Sequence, residues 1–278
     1  MNKMQSLVTD IITTDSAAAN TEKRLSICLG SNGFSFSVAT LNDVLLTVGE
    51  VGSGQYSSAT SLARLVAETV LNGEAALGYK QMSLILPSMH FAWIPEHLYD
   101  PSRDRQYLNV VASIPDAAGV SRIYSPALKS YIVFTVPSDI VTAFKVALPG
   151  IDIHCQHSVL ADSSALSSSV GHPAILLHVR SGMTDIEAYY NGHLLLSATY
   201  PSSDREEVLY HTLNVMKQLH LETPDIQLSI CGQVDRDFYL HLCHFFPNVD
   251  LFTGKQYSFI NPDFQTLHTY KYALVLSK

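Results

Sequence analysis

Residues 25–39 read LSICLGSNGFSFSVA: an apolar run, a break at Ser31-Asn32-Gly33, and a second run in which Phe34, Phe36 and Val38 alternate with Ser35 and Ser37. Successive side chains of a strand point to opposite faces, so this pattern predicts two strands joined by a tight turn. The same form returns at residues 175–189, ILLHVRSGMTDIEAY, where an apolar run, a Ser181-Gly182 turn and an alternating run follow in order. Placing Cys28 on His178 sets the offset at about 150 residues, and Asn42 then falls one residue from Asn191. The chain repeats itself.

Working outward, each hairpin gains a third strand. Asn42-Asp43 precedes VLLTV, and Asn191-Gly192 precedes HLLLSA; Asn-Gly between alternating segments is the strongest short hairpin signal. A helix with one apolar face follows each meander. In residues 58–75 the face carries Leu62, Leu65, Val66, Thr69 and Val70; in residues 203–221 it carries Val208, Leu209, Leu213, Met216 and Leu219. Ser203 and Glu206 have capping-box spacing, which predicts where the second helix starts. Each helix leads into a buried strand, at residues 81–87 and 226–232. Both halves therefore read β-β-β-α-β.

Between the copies the first half carries extra elements: 90–99, a helical 104–114, a hairpin over 122–136, a helix over 138–148 and a strand-like 151–160. This is an α/β subdomain inserted in the first lobe. The second half continues with a helical 235–246, a strand at 249–253 and a closing strand at 271–277. The Ser-rich residues 161–173 form the boundary, with enough Ala and Leu for a connecting helix. The expected organisation is a loose leader over 1–22, disordered or a short peripheral helix, then lobes over 23–165 and 166–278.

Composition narrows the function classes. With 47% hydrophobic and 15% charged residues, the chain can bury a large core. A net charge of −8 and no basic run argue against a nucleic-acid surface, whose phosphate contacts need Lys and Arg. No stretch reaches the ~18 apolar residues of a membrane span. Cys28, Cys155, Cys231 and Cys243 lack C-x-x-C spacing, and three of them sit in apolar contexts as buried thiols. Asp10 and several Thr residues interrupt the N-terminal stretch, which has no signal-peptide core. A reduced, cytoplasmic protein is expected.

A duplicated β-β-β-α-β unit with an insertion in its first copy resembles the actin-like ATPase superfamily, with its ribonuclease H-like lobes. The small inserted subdomain is most similar to the PilM/GspL arrangement. With its length and the opening SICLGSNGFSFSV, the chain also resembles a family of uncharacterised bacterial proteins, typical of Bacteroidetes, with that fold. The resemblance covers residues 23–278 and implies a nucleotide cleft between the lobes, gripped by two phosphate hairpins. The residues it would place on nucleotide are Gly30, Ser31 and Asn32, Ser181 and Gly182, and Gly232 after the late strand.

The chemically demanding positions depart from that pattern. The first hairpin has Cys28 where the superfamily has Asp, and a thiol cannot replace a hard oxygen ligand of magnesium. The second has His178 for Asp and Arg180 for the first Gly; Asp185 follows, in strand alternation of ordinary form. The adenosine motif keeps one Gly, Gly232. Three erosions together favour a non-catalytic, degenerate actin-like protein, an interaction or scaffold module with a protein partner and no cofactor. The alternative is an ATPase or kinase-like enzyme binding ATP and Mg in the cleft. A weaker third reading is some other anion held near Arg180.

Other constellations read as structure. GEVGSG at 49–54 lacks the Gly-Lys-Ser/Thr ending of a P-loop. His154 and His157, on one strand, would face opposite sides. His241 and His244 share a helical face without a completing ligand, and no G-x-S-x-G elbow occurs. Trp93 is expected in the core.

Overall fold

The computed structural model describes residues 7–13, 22–31, 33–52, 58–71, 78–164, 171–259, 263–264 and 267–278. Its first sheet is built from β1 (Leu7–Thr13), β2 (Lys23–Gly30), β3 (Gly33–Thr40), β4 (Val44–Gly52) and, after α1 (Ala59–Leu71), β5 (Tyr79–Leu86). The meander β2–β3–β4 is antiparallel, and β5 returns parallel to β2. Residues 7–13, expected within a loose leader or peripheral helix, instead form an edge strand antiparallel to β4. Val8, Thr9, Ile11, Ile12 and Thr13 are β-branched, the composition that favours a pleated partner over a helix.

The insertion follows as β6 (Phe91–Pro95), α2 (Asp104–Val111), β7 (Gly119–Ser125), β8 (Ser130–Val136) and α3 (Ser138–Ala147). Its three strands lie in the order β6-β8-β7, with a small core of Ile94, Leu108, Ile114 and Val133. Trp93 is only partly buried, packed against the first core. The chain then rejoins the first sheet as β9 (Asp152–Cys155), parallel to β5, and turns at once into α4 (Gln156–Ser164). The strand thus ends two residues before His157, so His154 and His157 belong to different elements.

The second sheet repeats the first. It contains β10 (Pro173–Arg180), β11 (Met183–Tyr190) and β12 (His193–Pro201), then α5 (Arg205–Gln218), β13 (Gln227–Gly232), α6 (Arg236–Phe245) and β14 (Val249–Leu251). Its order is β12-β11-β10-β13-β14, matching β4-β3-β2-β5-β9 position for position. In both, the first, fourth and fifth strands of the path through the unit run parallel. The duplication seen in the sequence is therefore topological.

One face of the second sheet, with Ile175, Leu177, Ile186 and Ala188, packs on Val208, Leu209 and Met216 of α5 and on Phe238 and Leu242 of α6. Each of the Ile, Leu, Val, Met and Phe side chains contributes about 1.5–3 kcal/mol by leaving water, and Ala188 less. Leu213, expected on the buried face, is 39% exposed; Thr212 and Val215 take its place. The N-cap of α5 is one residue later than expected, because Asp204 accepts from the Glu207 amide at 2.9 Å while Glu207 reaches back to the Ser203 amide at 2.6 Å.

The chain finishes with β15 (Ser258–Phe259), which pairs with β4, and α7 (Ala273–Leu276). The expected closing strand over 271–277 is instead a 3-10 turn running into α7. A short apolar run fits either element, and here Val275 and Leu276 fill a core shared by both sheets. That core also holds Leu45 and Ile85 of the first sheet, Leu176 and Cys231 of the second, and Val159 and Leu160 of α4.

Candidate functional site: a cleft backed by Asp185

The two hairpins that opened the sequence reading meet across a cleft of about 940 Å³. Gly30, Ser31, Ser181 and Gly232 line it together, while Gly182 sits in its turn beyond the cleft lining. Asn32 lies outside the described residues. The geometry explains two of the glycines by backbone contact. A Cβ on Gly33 would lie 2.2 Å from the Val51 carbonyl oxygen, and one on Gly232 would lie 2.1 Å from that of Val179. Gly232 also has φ +90°, a conformation that favours glycine. Its place is fixed by the approach of β13 to β10.

Asp185, on β11, is fully buried behind the cleft wall, where it is bonded by His178 and Arg180, which do line the cleft. Its Oδ2 accepts from His178 Nδ1 at 2.9 Å and from Arg180 Nε at 3.0 Å. Its Oδ1 accepts from Thr199 at 2.6 Å, Gln156 Nε2 at 3.2 Å and Arg180 Nη2 at 3.2 Å. Burial alone would raise its pKa, but the bond from His178, the charges of His157 and His178 and the bond from Arg180 outweigh it and hold the carboxyl below the usual range. Asp185 is held as an anion with both oxygens saturated by donors.

A second layer lies behind it. His157 Nδ1 is 2.7 Å from Glu187 Oε1, and Nε2 is 2.8 Å from Thr199 Oγ1. The Thr199 hydroxyl donates its only hydrogen to Asp185, so it accepts from His157; the Glu187 carboxylate can only accept. Through its two ring nitrogens His157 joins Glu187 to Thr199, and Ser197 Oγ also stands 3.0 Å from Nδ1. Phe91 covers the ring at a centroid distance of 3.9 Å, and Tyr189 and Ser197 complete Glu187 at 2.7 and 3.0 Å. Gln156 is locked by a reciprocal pair with the Ser88 backbone, 2.8 Å each way. Residues from α4, at the end of the first lobe, thus grip the polar face of the second sheet.

The remaining expected positions carry no acid chemistry. Cys28 lines the cleft, and burial pushes its thiol up to about 12, with Arg180 lowering and Asp185 raising it. Burial likewise holds Cys155 at about 12. His241 Nε2 stands 3.5 Å from Glu206, and no group of three metal-ligating side chains occurs among the described residues.

The family profile described as "Protein of unknown function (DUF3822)" matches residues 13–249. The chain belongs to this family. No curated protein matches this DUF3822 chain. Among solved structures, it is similar to a protein of Bacteroides thetaiotaomicron VPI-5482 with an actin-like ATPase fold and unknown function, at TM-score 0.72 and 21% identity. That match covers 86% of this chain and 93% of the other. It is also similar to a chain of the PilM-PilN type IV pilus biogenesis complex, at TM-score 0.65 and 11% identity, over 91% of this chain and 96% of the other. The DUF3822 chain has the actin-like ATPase fold.

That fold implies magnesium and nucleotide, and the donor set of this DUF3822 cleft does not fit the metal. The two superfamily carboxylate positions hold a protonated thiol and an imidazole tied to Asp185. Asp185 itself has five donors on its two oxygens, which leaves no lone pair well placed for a hard cation. No helix among the described residues is long and apolar enough to cross a membrane.

Proposed function

We propose that this protein is a non-catalytic actin-like interaction module of the cytoplasm, acting through a protein partner and without a cofactor. The observation that carries this reading is Asp185, whose bonds to Gln156, His178, Arg180 and Thr199 make the buried carboxylate behind the cleft a tie between lobes. Metal-assisted phosphoryl transfer needs a carboxylate with open lone pairs. The similarity to a PilM chain solved in complex with PilN supports a partner-binding role by analogy of fold. Free thiols at all four cysteines suit a reducing compartment.

One observation favours a second reading, an ATPase or kinase-like enzyme: Gly30, Ser31, Ser181 and Gly232 do gather on one cleft. Calorimetry with Mg-ATP and with ADP separates the two. The interaction-module reading expects no turnover and no micromolar binding. Micromolar binding or hydrolysis, abolished by Gly30→Val and Ser31→Ala, would overturn it. A pull-down with the intact chain then identifies the partner.

A further inference from the structure

We infer that the cleft holds a small organic anion, with one carboxylate or phosphate head and an apolar body, on the guanidinium of Arg180 and without a metal. Arg180 spends two of its five N–H bonds on Asp185, through Nε and Nη2. Arg180 lines the cleft, with 21% of its side chain exposed and three N–H bonds not spent on Asp185. This is a pre-oriented fork: the buried carboxylate fixes its plane, so little side-chain freedom remains to be lost when an oxyanion docks on the outer edge.

The surroundings set the size and charge of the ligand. The hydroxyls of Ser31 and Ser181 line the same cleft and can donate to the head group. Apolar side chains, among them Leu29, Phe34, Leu86 and Ile140, line it as well and suit an uncharged body. Lys271 adds a second cation, but Glu50 and Asp235 also line the cleft, and Asp235 caps α6 by accepting from the Phe238 amide at 2.7 Å. Two carboxylates against two cations disfavour a polyanion and leave Arg180 as the site for a single head. The inference stands apart from the interaction-module reading, because it asks only that the cleft be open.

The test uses the full chain in EDTA, titrated calorimetrically with phenyl phosphate, benzoate, tripolyphosphate and, as a neutral control, phenol. One of the two single-headed aromatics is expected to bind more tightly than both tripolyphosphate and phenol, and the better of them names the head group. In Arg180→Gln its affinity should fall about 10- to 100-fold, the range for losing a charge-assisted bidentate contact. Because that variant also removes two bonds from Asp185, the unaltered protein supplies a second readout. Phenylglyoxal modification of Arg180, followed by peptide mass spectrometry, should slow several-fold in the presence of the bound anion. Binding no better than phenol, unchanged affinity in a folded Arg180→Gln protein, or an unprotected Arg180 would each overturn the inference. Mg-dependent binding of tripolyphosphate would overturn it too, whereas Mg-ATP turnover is the separate result that removes the interaction-module reading.

Discussion

His157 of α4 and Glu187 of β11 form a buried pair at 2.7 Å, with neither side chain reaching solvent. Breaking a buried pair from one side leaves an uncompensated charge and costs about 3–5 kcal/mol. His157→Leu is therefore expected to destabilise by that amount in urea unfolding. The double variant His157→Leu/Glu187→Leu should recover part of the loss. A double-variant loss equal to the sum of the losses in His157→Leu and Glu187→Leu alone would show the pair to be uncoupled.

Asp185 gives the network a pH dependence of definite sign. Its folded-state pKa lies below the ordinary value of 3.8, first raised by burial and then brought down by His178, His157 and Arg180. Stability from this group is thus complete above about pH 4–5 and declines as acid titrates it in the unfolded chain. Asp185→Asn should lower the melting temperature at pH 7 and flatten the acid limb below pH 4. A variant whose melting curve parallels the parent from pH 7 to 3 would refute the assignment.

His154 acts in a different window. It is buried on β9, its Nδ1 has no hydrogen-bond partner among the described residues, and burial, helped by Lys278, lowers its pKa to about 3. Between pH 6.5 and 3 the unfolded chain takes up a proton that the folded chain refuses, so stability falls as pH falls, by roughly 1 kcal/mol per pH unit. His154→Leu should remove this slope. Its melting temperature relative to the parent is expected to rise on going from pH 7 to pH 5.

Two turn glycines should respond differently to alanine. At Gly232 both φ +90° and a 2.1 Å approach to Val179 oppose a Cβ, while at Gly182 φ is +72° but the space is open. Gly182→Ala should cost the left-handed penalty alone, about 1–2 kcal/mol. Gly232→Ala should cost clearly more, since β13 must also move. Chemical denaturation of both variants ranks them directly.

Thiol reactivity checks the cysteine environments. Cys243 is exposed, Cys155 and Cys231 are buried, and burial raises the pKa of both buried thiols. Ellman's reagent should titrate one thiol rapidly in native protein and four in denaturant. Rapid reaction of Cys155 or Cys231 before unfolding would contradict the packing.

The duplicated meander was legible because alternation and turn residues are local signals. Phe34 and Phe36 against Ser35 and Ser37 fixed a hairpin, and Asn191-Gly192 fixed another. The buried polar network behind the cleft was not legible, for a physical reason. Asp185, Glu187 and Tyr189 alternate with Ile186 and Ala188, and the same pattern describes a strand with one face in water. Only the tertiary structure shows that α4 covers the polar face. The signal that bore on it, His157 beside Gln156, was read as strand because the change of element at Cys155–Gln156 leaves no Gly or Pro to announce it. Residues 271–277 failed likewise, as an apolar run too short to carry a period.

The last part of the chain crosses back to the first sheet: Ser258 and Phe259 pair with Val44 and Leu45, Lys255 reaches Asp43 at 2.8 Å, and Ser37 donates to the Val275 carbonyl at 2.7 Å. Together with the Gln156 and His157 contacts, this fastens the seam between the halves at two separate places. A hinge that spread the lobes would have to strip a strand pairing and expose a buried ion network in the same movement. The frame around the cleft is thus held at both places, and any change in the cleft's width falls to the side chains that line it.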